Sequence, residues 1–338
     1  MPVQSRQFLE GRDLQGVITV FYRIHKEHLL RKAMRKLKCL GAERSLSWRV
    51  EVVKSAEFLS EVCAAWMSPT YIPPPELDCL LNRLPGLKWL YCQTTGIDHL
   101  NLASLASRGL WVSNTGTLSS RRVAEMALAC IVSHAKRLPH HFALQRRLQW
   151  KSLACDDLSS LTVGVIGTGN IGRELACQCK GLGIRVLGAS RDPSRFGADT
   201  YPYDRIVRLY GELDELLGTS DIVVLAVPLT PETRGIIGAR QLSKMKTTAA
   251  LINVARGALV NEKHLCRGLR RGTIAAAYLD VVEQLPPPVW SRLYRAPNLL
   301  MTHNSSATSD LTLQGAFDQF WSGVDRLRRG EEVANRVC

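Results

Sequence analysis

The chain has 338 residues, 46% of them hydrophobic, with 44 Lys and Arg against 30 Asp and Glu for a formal net charge of +14. That length and apolar content suit two compact domains and exclude a single small module. No apolar stretch approaches a membrane span, and the opening MPVQSRQFLEGRD lacks the apolar core of a secretory signal, so a cytoplasmic protein is expected. Ten cysteines without regular spacing read as free thiols rather than a disulfide framework. No Cys/His cluster has zinc spacing, so no metal is expected, and His25, His28, His140 and His141 read as surface residues.

In chain order, Val17 to Tyr22 reads as a strand, Glu27 to Lys38 as a basic helix, and Val50 to Val53 and Ala64 to Met67 as strands. Leu87 to Gln93 and Leu110 to Ser113 complete an α/β pattern. Val123, Met126, Ala127, Cys130 and Ile131 recur at helical spacing, and Leu138-Pro139 is expected to end that helix. From Met126 to Cys155 there is no acidic residue, while Lys136, Arg137, Arg146, Arg147 and Lys151 are present, with Arg121 and Arg122 just before. A solvated helix, a subunit interface or attraction of anionic substrates explains this arm with fewer assumptions than nucleic acid, which is not an expected partner.

Residues 161–191 are the most informative. An apolar run enters the turn Gly167-x-Gly169-x-x-Gly172, and a helix follows. Gly167 would permit the tight turn, Gly169 would let a pyrophosphate approach the backbone, and Gly172 would let the helix pack close to its strand. The N–H groups of the opening turn, at Asn170 and Ile171, together with the positive end of the helix dipole, would hold the phosphates. The second strand, Ile184 to Ala189, is followed by Ser190 and Arg191 where an NAD site would carry an acid. A hydroxyl and a guanidinium suit a 2′-phosphate, so NADP(H) is the expected cofactor, with NAD(H) as the alternative. Strands at Ile222 to Val227, Ala250 to Val254, Ala275 to Leu279 and Leu299 to Thr302 follow, then an amphipathic helix and a polar tail. The expected fold is a doubly wound parallel sheet.

These residues, with Gly96-Ile97-Asp98-His99, Val123-Ala124-Glu125, the run Val227 to Gly238, the run Ile252 to Glu262, Ala277 to Asp280 and Pro297-Asn298-Leu299, resemble the D-isomer-specific 2-hydroxyacid dehydrogenases over about Leu87 to Ser305. The resemblance implies two Rossmann-like domains: a discontinuous, flavodoxin-like substrate domain at 1–114 plus 304–338, and a coenzyme domain at 115–303. It implies hydride transfer between NAD(P)H and a 2-oxo acid of the glyoxylate or hydroxypyruvate type. It also implies a homodimer, for which the arm from Arg137 to Trp150, with Leu144, Leu148 and Trp150, would supply the contact.

By the same resemblance, Arg256 binds and polarises the oxo acid, and an Arg at the end of a buried apolar strand itself calls for an anionic partner. Thr95 and Gly96 would cradle the substrate carboxylate. Pro228, Thr233 and Val254 match adenosine and ribose contacts, and Asp280 the residue that holds the carboxamide. His303 is the candidate proton donor; an ungapped alignment puts Asn304 in that place instead. The family's Glu partner of the catalytic His falls on Leu285, with Gln284 and Glu283 as neighbouring polar groups. Loss of the carboxylate would lower the His pKa and favour reduction at lower pH. A second reading is a dinucleotide-binding sensor or scaffold without turnover.

Overall fold

Two parallel sheets organise the chain, one in each of two units: residues 1–118 with 309–338, and residues 119–308. The structure, a computed structural model, describes residues 17–21, 62–67, 77–78, 81–82, 84–98, 100–197 and 200–338. The expected helix at 27–38, the strand at 50–53, His25, His28 and His99 lie outside the described residues.

The first unit carries β1 (Val17–Phe21), β2 (Val62–Met67), β3 (Trp89–Cys92) and β4 (Trp111–Asn114), paired in that order. Helix α1 (Leu102–Ser107) links β3 to β4, its N-terminus capped by the Asn101 side chain accepting from the Ser104 N–H. One face is aromatic: Trp66, Trp89 and Tyr91 pack against Phe317, Phe320 and Trp321 of the helix Asp310–Arg328. Trp89 and Phe320 stack with centroids 5.1 Å apart. This close approach needs Gly323, where a Cβ would lie 2.3 Å from the Trp89 ring. The expected polar tail is instead docked as an antiparallel segment beside β4. The Val112 N–H donates to Cys338 O at 3.1 Å and the Val337 N–H to Val112 O at 2.8 Å, while the Arg336 guanidinium lies 4.7 Å from the Trp111 ring centroid. Its main chain satisfies groups that an edge strand leaves open.

The second unit opens with α2 (Ser120–Ala135), which buries the periodic residues Val123, Ala127, Cys130 and Ile131. Leu138-Pro139 does not end it: α2 stops at Ala135, Arg137 takes a left-handed φ of 54°, and α3 (Leu138–Arg146) begins. Proline in a first helical turn forfeits no intrahelical bond, so here it starts a helix. Then follow β5 (Thr162–Ile166), α4 (Asn170–Gly181), β6 (Arg185–Ser190), β7 (Arg205–Arg208), α5 (Leu213–Thr219), β8 (Ile222–Leu225), α6 (Ala239–Lys244), β9 (Ala250–Asn253), α7 (Glu262–Arg271), β10 (Ala276–Leu279) and β11 (Leu299–Met301). The order across the sheet is β11-β10-β9-β8-β5-β6-β7, all parallel. Strands β5, β8, β9 and β10 are buried throughout. Such strands read as continuous aliphatic runs because both faces are covered.

Strand β7 was not anticipated from the sequence. The order reverses between β5 and β8, which is the topological switch point where α/β sheets bind ligands beyond the carboxyl ends of their strands.

Candidate active site

At the switch point, Gly167 has φ of +107°, and a Cβ there would lie 2.4 Å from Ala226 O, at the end of β8. A Cβ on Gly172 would lie 1.9 Å from Gly167 O, so only glycine lets α4 start this close to β5. Gly169, the N-cap of α4, differs: a Cβ there would meet nothing within 4 Å. Open space lies beside this backbone, next to the first turn formed by Asn170, Ile171 and Gly172. Free N–H groups, a positive helix end and room for a bulky anion are what a pyrophosphate requires. The residues present therefore fit a dinucleotide.

Ser190 ends β6 and is buried; its Oγ donates to Asp192 O at 3.2 Å and accepts from the Asp192 N–H at 3.3 Å. Its hydroxyl thus shapes the turn that launches Arg191. Across the pair β6–β7 its register partner is Arg208, which the sequence reading missed. Arg195 lies on the same turn. Hydrogen bonds from Ser194 hold the Asp192 carboxyl below its usual range, with Arg195 and Arg208 adding to the effect. Arg191 similarly adds to the Thr230 bond that lowers Glu232. Arg191, Arg195 and Arg208 are all exposed, so three guanidinium groups gather where the ribose end of a dinucleotide would lie.

After β8, the Thr233 hydroxyl donates to Pro228 O at 2.7 Å and accepts from the Thr230 N–H at 2.8 Å. Both residues build the turn that closes this side. Val254 is buried just past β9.

Arg256 stands two residues beyond Val254, in extended backbone with φ of −141°. The Asn253 side chain, 1% exposed, fixes that backbone by donating to Arg256 O at 2.8 Å and accepting from the Ala255 N–H at 3.1 Å. Arg256 Nη1 donates to Ala255 O at 2.8 Å. Gly257 lets the loop touch the next connection, since a Cβ would lie 2.0 Å from the Val282 carbonyl carbon. Asn253 and Gly257 were legible only as parts of a motif. An Asn ending a strand is a turn former, and that signal was available.

Asp280 ends β10 and is buried. Its Oδ1 accepts from the Thr302 hydroxyl at 2.6 Å and the Ser305 N–H at 2.9 Å, and its Oδ2 from the Ser306 N–H at 3.2 Å. Its carbonyl accepts from the Asn304 N–H at 2.6 Å. Within this frame His303 and Asn304 have φ of 58° and 54°. Two successive non-glycine residues in the left-handed region cost roughly 1–2 kcal/mol each, less for Asn, unless the surroundings over-determine them. His303 is exposed and Asn304 half-buried.

Arg256, Asp280 and His303 thus follow the carboxyl ends of β9, β10 and β11, neighbours in one sheet. The outer two strands lie about 10 Å apart. The glycine turn, Ser190, Pro228 and Val254 follow strands of the same parallel sheet and hence share that edge.

Leu285 is 47% exposed and Gln284 is exposed; Glu283 pairs with Arg234 at 3.4 Å. Thr95 and Gly96 belong to the other unit, after β3. Thr95 Oγ1 donates to Gly116 O at 3.1 Å, and the Thr94 hydroxyl donates to Gly96 O at 2.9 Å. The described cysteines are free, and burial pushes the Cys130 and Cys179 thiols up to about 12, leaving them inert. No helix among the described residues is long and apolar enough to cross a membrane.

Switch-point glycines, an open helix start and a doubly wound parallel sheet define a dinucleotide-binding α/β protein. The NAD binding domain of the D-isomer specific 2-hydroxyacid dehydrogenases matches residues 128–305. A glycerate dehydrogenase of Methylorubrum extorquens is 33% identical over 261 residues, covering 74% of this chain and 79% of that protein. A glyoxylate/hydroxypyruvate reductase B of Yersinia enterocolitica is 34% identical over 240 residues, covering 69% and 72%. The crystal structure of a D-isomer specific 2-hydroxyacid dehydrogenase from Xanthobacter autotrophicus in complex with NADPH and MES superposes with a TM-score of 0.76 at 28% identity, over 96% of this chain and 98% of that one. The chain belongs to the D-isomer specific 2-hydroxyacid dehydrogenase family, whose members are NAD(P)-dependent oxidoreductases.

Proposed function

We propose that the protein is an NADP(H)-preferring reductase of small 2-oxo acids, of the glyoxylate or hydroxypyruvate type. The observation that carries this reading is Arg256, held by the buried Asn253 beyond β9 on the same sheet edge as a glycine turn with open space at Gly169. NADPH would supply the hydride. Asn170, Ile171 and Gly172 would hold its pyrophosphate, and Arg191, Arg195 and Arg208 a 2′-phosphate. Arg256 would bind the substrate carboxylate and polarise the carbonyl oxygen; Thr95 and Gly96 are assigned to substrate by the resemblance alone. His303, presented by the turn that Asp280 organises, would protonate that oxygen in reduction and take the proton back in oxidation. We assign the unit at 119–308 to the coenzyme and the other unit to substrate.

A homodimer is supported by α3 and the segment after it. No residue of α3 is buried, Phe142 is 62% exposed, and Leu148 and Trp150 are almost wholly exposed in the single chain. The free, buried thiols suit a cytoplasmic location.

The test is NADPH oxidation with glyoxylate, hydroxypyruvate, pyruvate and larger 2-oxo acids across acid to neutral pH, with Arg256→Ala as control. Turnover on the small acids that the control loses is expected. NADPH binding without turnover on any of them would replace this reading with a sensor or scaffold.

A further inference from the structure

The surface formed by α7 and the end of the β10–β11 connection carries none of the residues assigned to the chemistry. On α7, Lys263, Arg267, Arg270 and Arg271 recur at positions i, i+4, i+7 and i+8, which is one helical stripe, and all are exposed. The opposite stripe, Leu265, Cys266 and Leu269, is buried together with Leu293. Leu293 lies in the short helix Arg292–Arg295, which adds the exposed Arg292 and Arg295. Arg270 and Arg292 both act electrostatically on Cys266, so the two elements present their charge together.

None of these cations has an ion-pair partner among the described residues. The contrast is local: on the adjoining α6, Arg240 pairs with Asp214 at 2.8 Å and Lys244 with the same carboxylate at 4.0 Å. Complementing the helix dipole accounts for Arg270 and Arg271 in the last turn. It does not account for Lys263 near the positive end, nor for Arg292 and Arg295 off the helix. Aromatic rings flank the charge: Trp290 is 77% exposed and Tyr294 48%, on a turn ordered by the Ser291 N–H donating to Pro288 O at 2.7 Å.

We propose that this face binds single-stranded nucleic acid, with the α7 stripe and Arg292 and Arg295 tracking the phosphates and Trp290 and Tyr294 stacking on bases. Unpaired cations in a row select a polyanion, and exposed rings beside them distinguish bases from a bare anionic surface. The site differs from the 121–151 arm and uses none of the residues assigned to the cofactor.

The experiment is fluorescence anisotropy of a labelled oligouridylate with the full chain, from about 50 to about 200 mM salt. Binding that weakens with salt is expected. Arg267→Glu with Arg271→Glu should weaken it at least about tenfold and lower the salt slope by about 1.4, near 0.7 per lost single-strand phosphate contact. Trp290→Ala with Tyr294→Ala should weaken it at least about thirtyfold with the slope unchanged. Wild-type NADPH affinity in each variant verifies an intact fold. Three results would overturn the proposal: no oligonucleotide binding, binding lost only in Arg146→Glu with Arg147→Glu, or equal binding of polyglutamate or phosphatidylserine vesicles without dependence on the two rings.

Discussion

Asp280→Asn separates two roles for this carboxylate. The resemblance assigns it to the cofactor's carboxamide, whereas the structure gives three of its acceptor positions to the turn that presents His303. An amide would keep the bonds at one oxygen but weaken them from charge-assisted to neutral, and would set an N–H₂ against the Ser306 N–H. Half of two charge-assisted bonds and all of a third amount to about 3 kcal/mol at about 1.5 kcal/mol per bond. That matches the roughly 1–2 kcal/mol per residue that His303 and Asn304 store in left-handed backbone, so the turn should relax. The expected outcome is a Tm lower by about 6–12 °C in a unit of this size, and kcat down roughly 100-fold, corresponding to about 2.7 kcal/mol. The NADPH Kd, read by nucleotide fluorescence, should move less than about threefold, because weaker placement of His303 leaves the phosphate and ribose contacts in place. A tenfold or greater loss of NADPH affinity with kcat intact would refute the reasoning and return Asp280 to the carboxamide.

Leu285→Glu places a carboxylate where the resemblance expects one. It should raise the pKa of the proton donor and shift the alkaline fall-off of reduction to higher pH, and an unchanged kcat profile would exclude contact with His303. Arg208→Ala should raise the NADPH Kd roughly tenfold while leaving NADH unaffected, the loss of one charge-assisted contact; equal effects on both cofactors would remove Arg208 from the 2′-phosphate site. Burial, with Arg137 adding, holds His134 below its usual pKa. Because the unfolded chain then binds the extra proton, the contribution of His134 is complete above about pH 6.5 and falls as pH drops toward its folded value. Denaturant titrations should show His134→Gln losing that slope, and an identical slope in both proteins would show that another group sets it.

The doubly wound sheet was readable because β5, β8, β9 and β10 are buried on both faces and so appear as unbroken aliphatic runs. Strand β7 failed the same reading: Arg-Ile-Val-Arg at the sheet edge has only Val207 fully buried, too short a signal for periodicity. Arg208 was lost with it, although Arg191 was found, because its relevance lies in a pairing to Ser190 across the sheet that spacing cannot express. Arg256 and the glycine turn were visible as motifs. The hydrogen bonds that Asp280 accepts from the His303 turn were not, since their donors lie more than twenty residues downstream on a different strand end. Leu138-Pro139 misled for a different reason: proline marks a helix boundary without saying which helix it bounds.

Half of the first unit's aromatic core lies on the helix Asp310–Arg328, and β4 is completed by the segment around Arg336. Both follow the whole of 119–308 in the chain. During synthesis, the switch-point sheet has all its strands available while Trp66, Trp89 and Tyr91 still await their partners. Domains fold as they emerge, so the glycine-turn unit is expected to mature on the ribosome. The strands on either side of β3 must meanwhile be shielded from pairing with other nascent chains until translation delivers the helix that covers them.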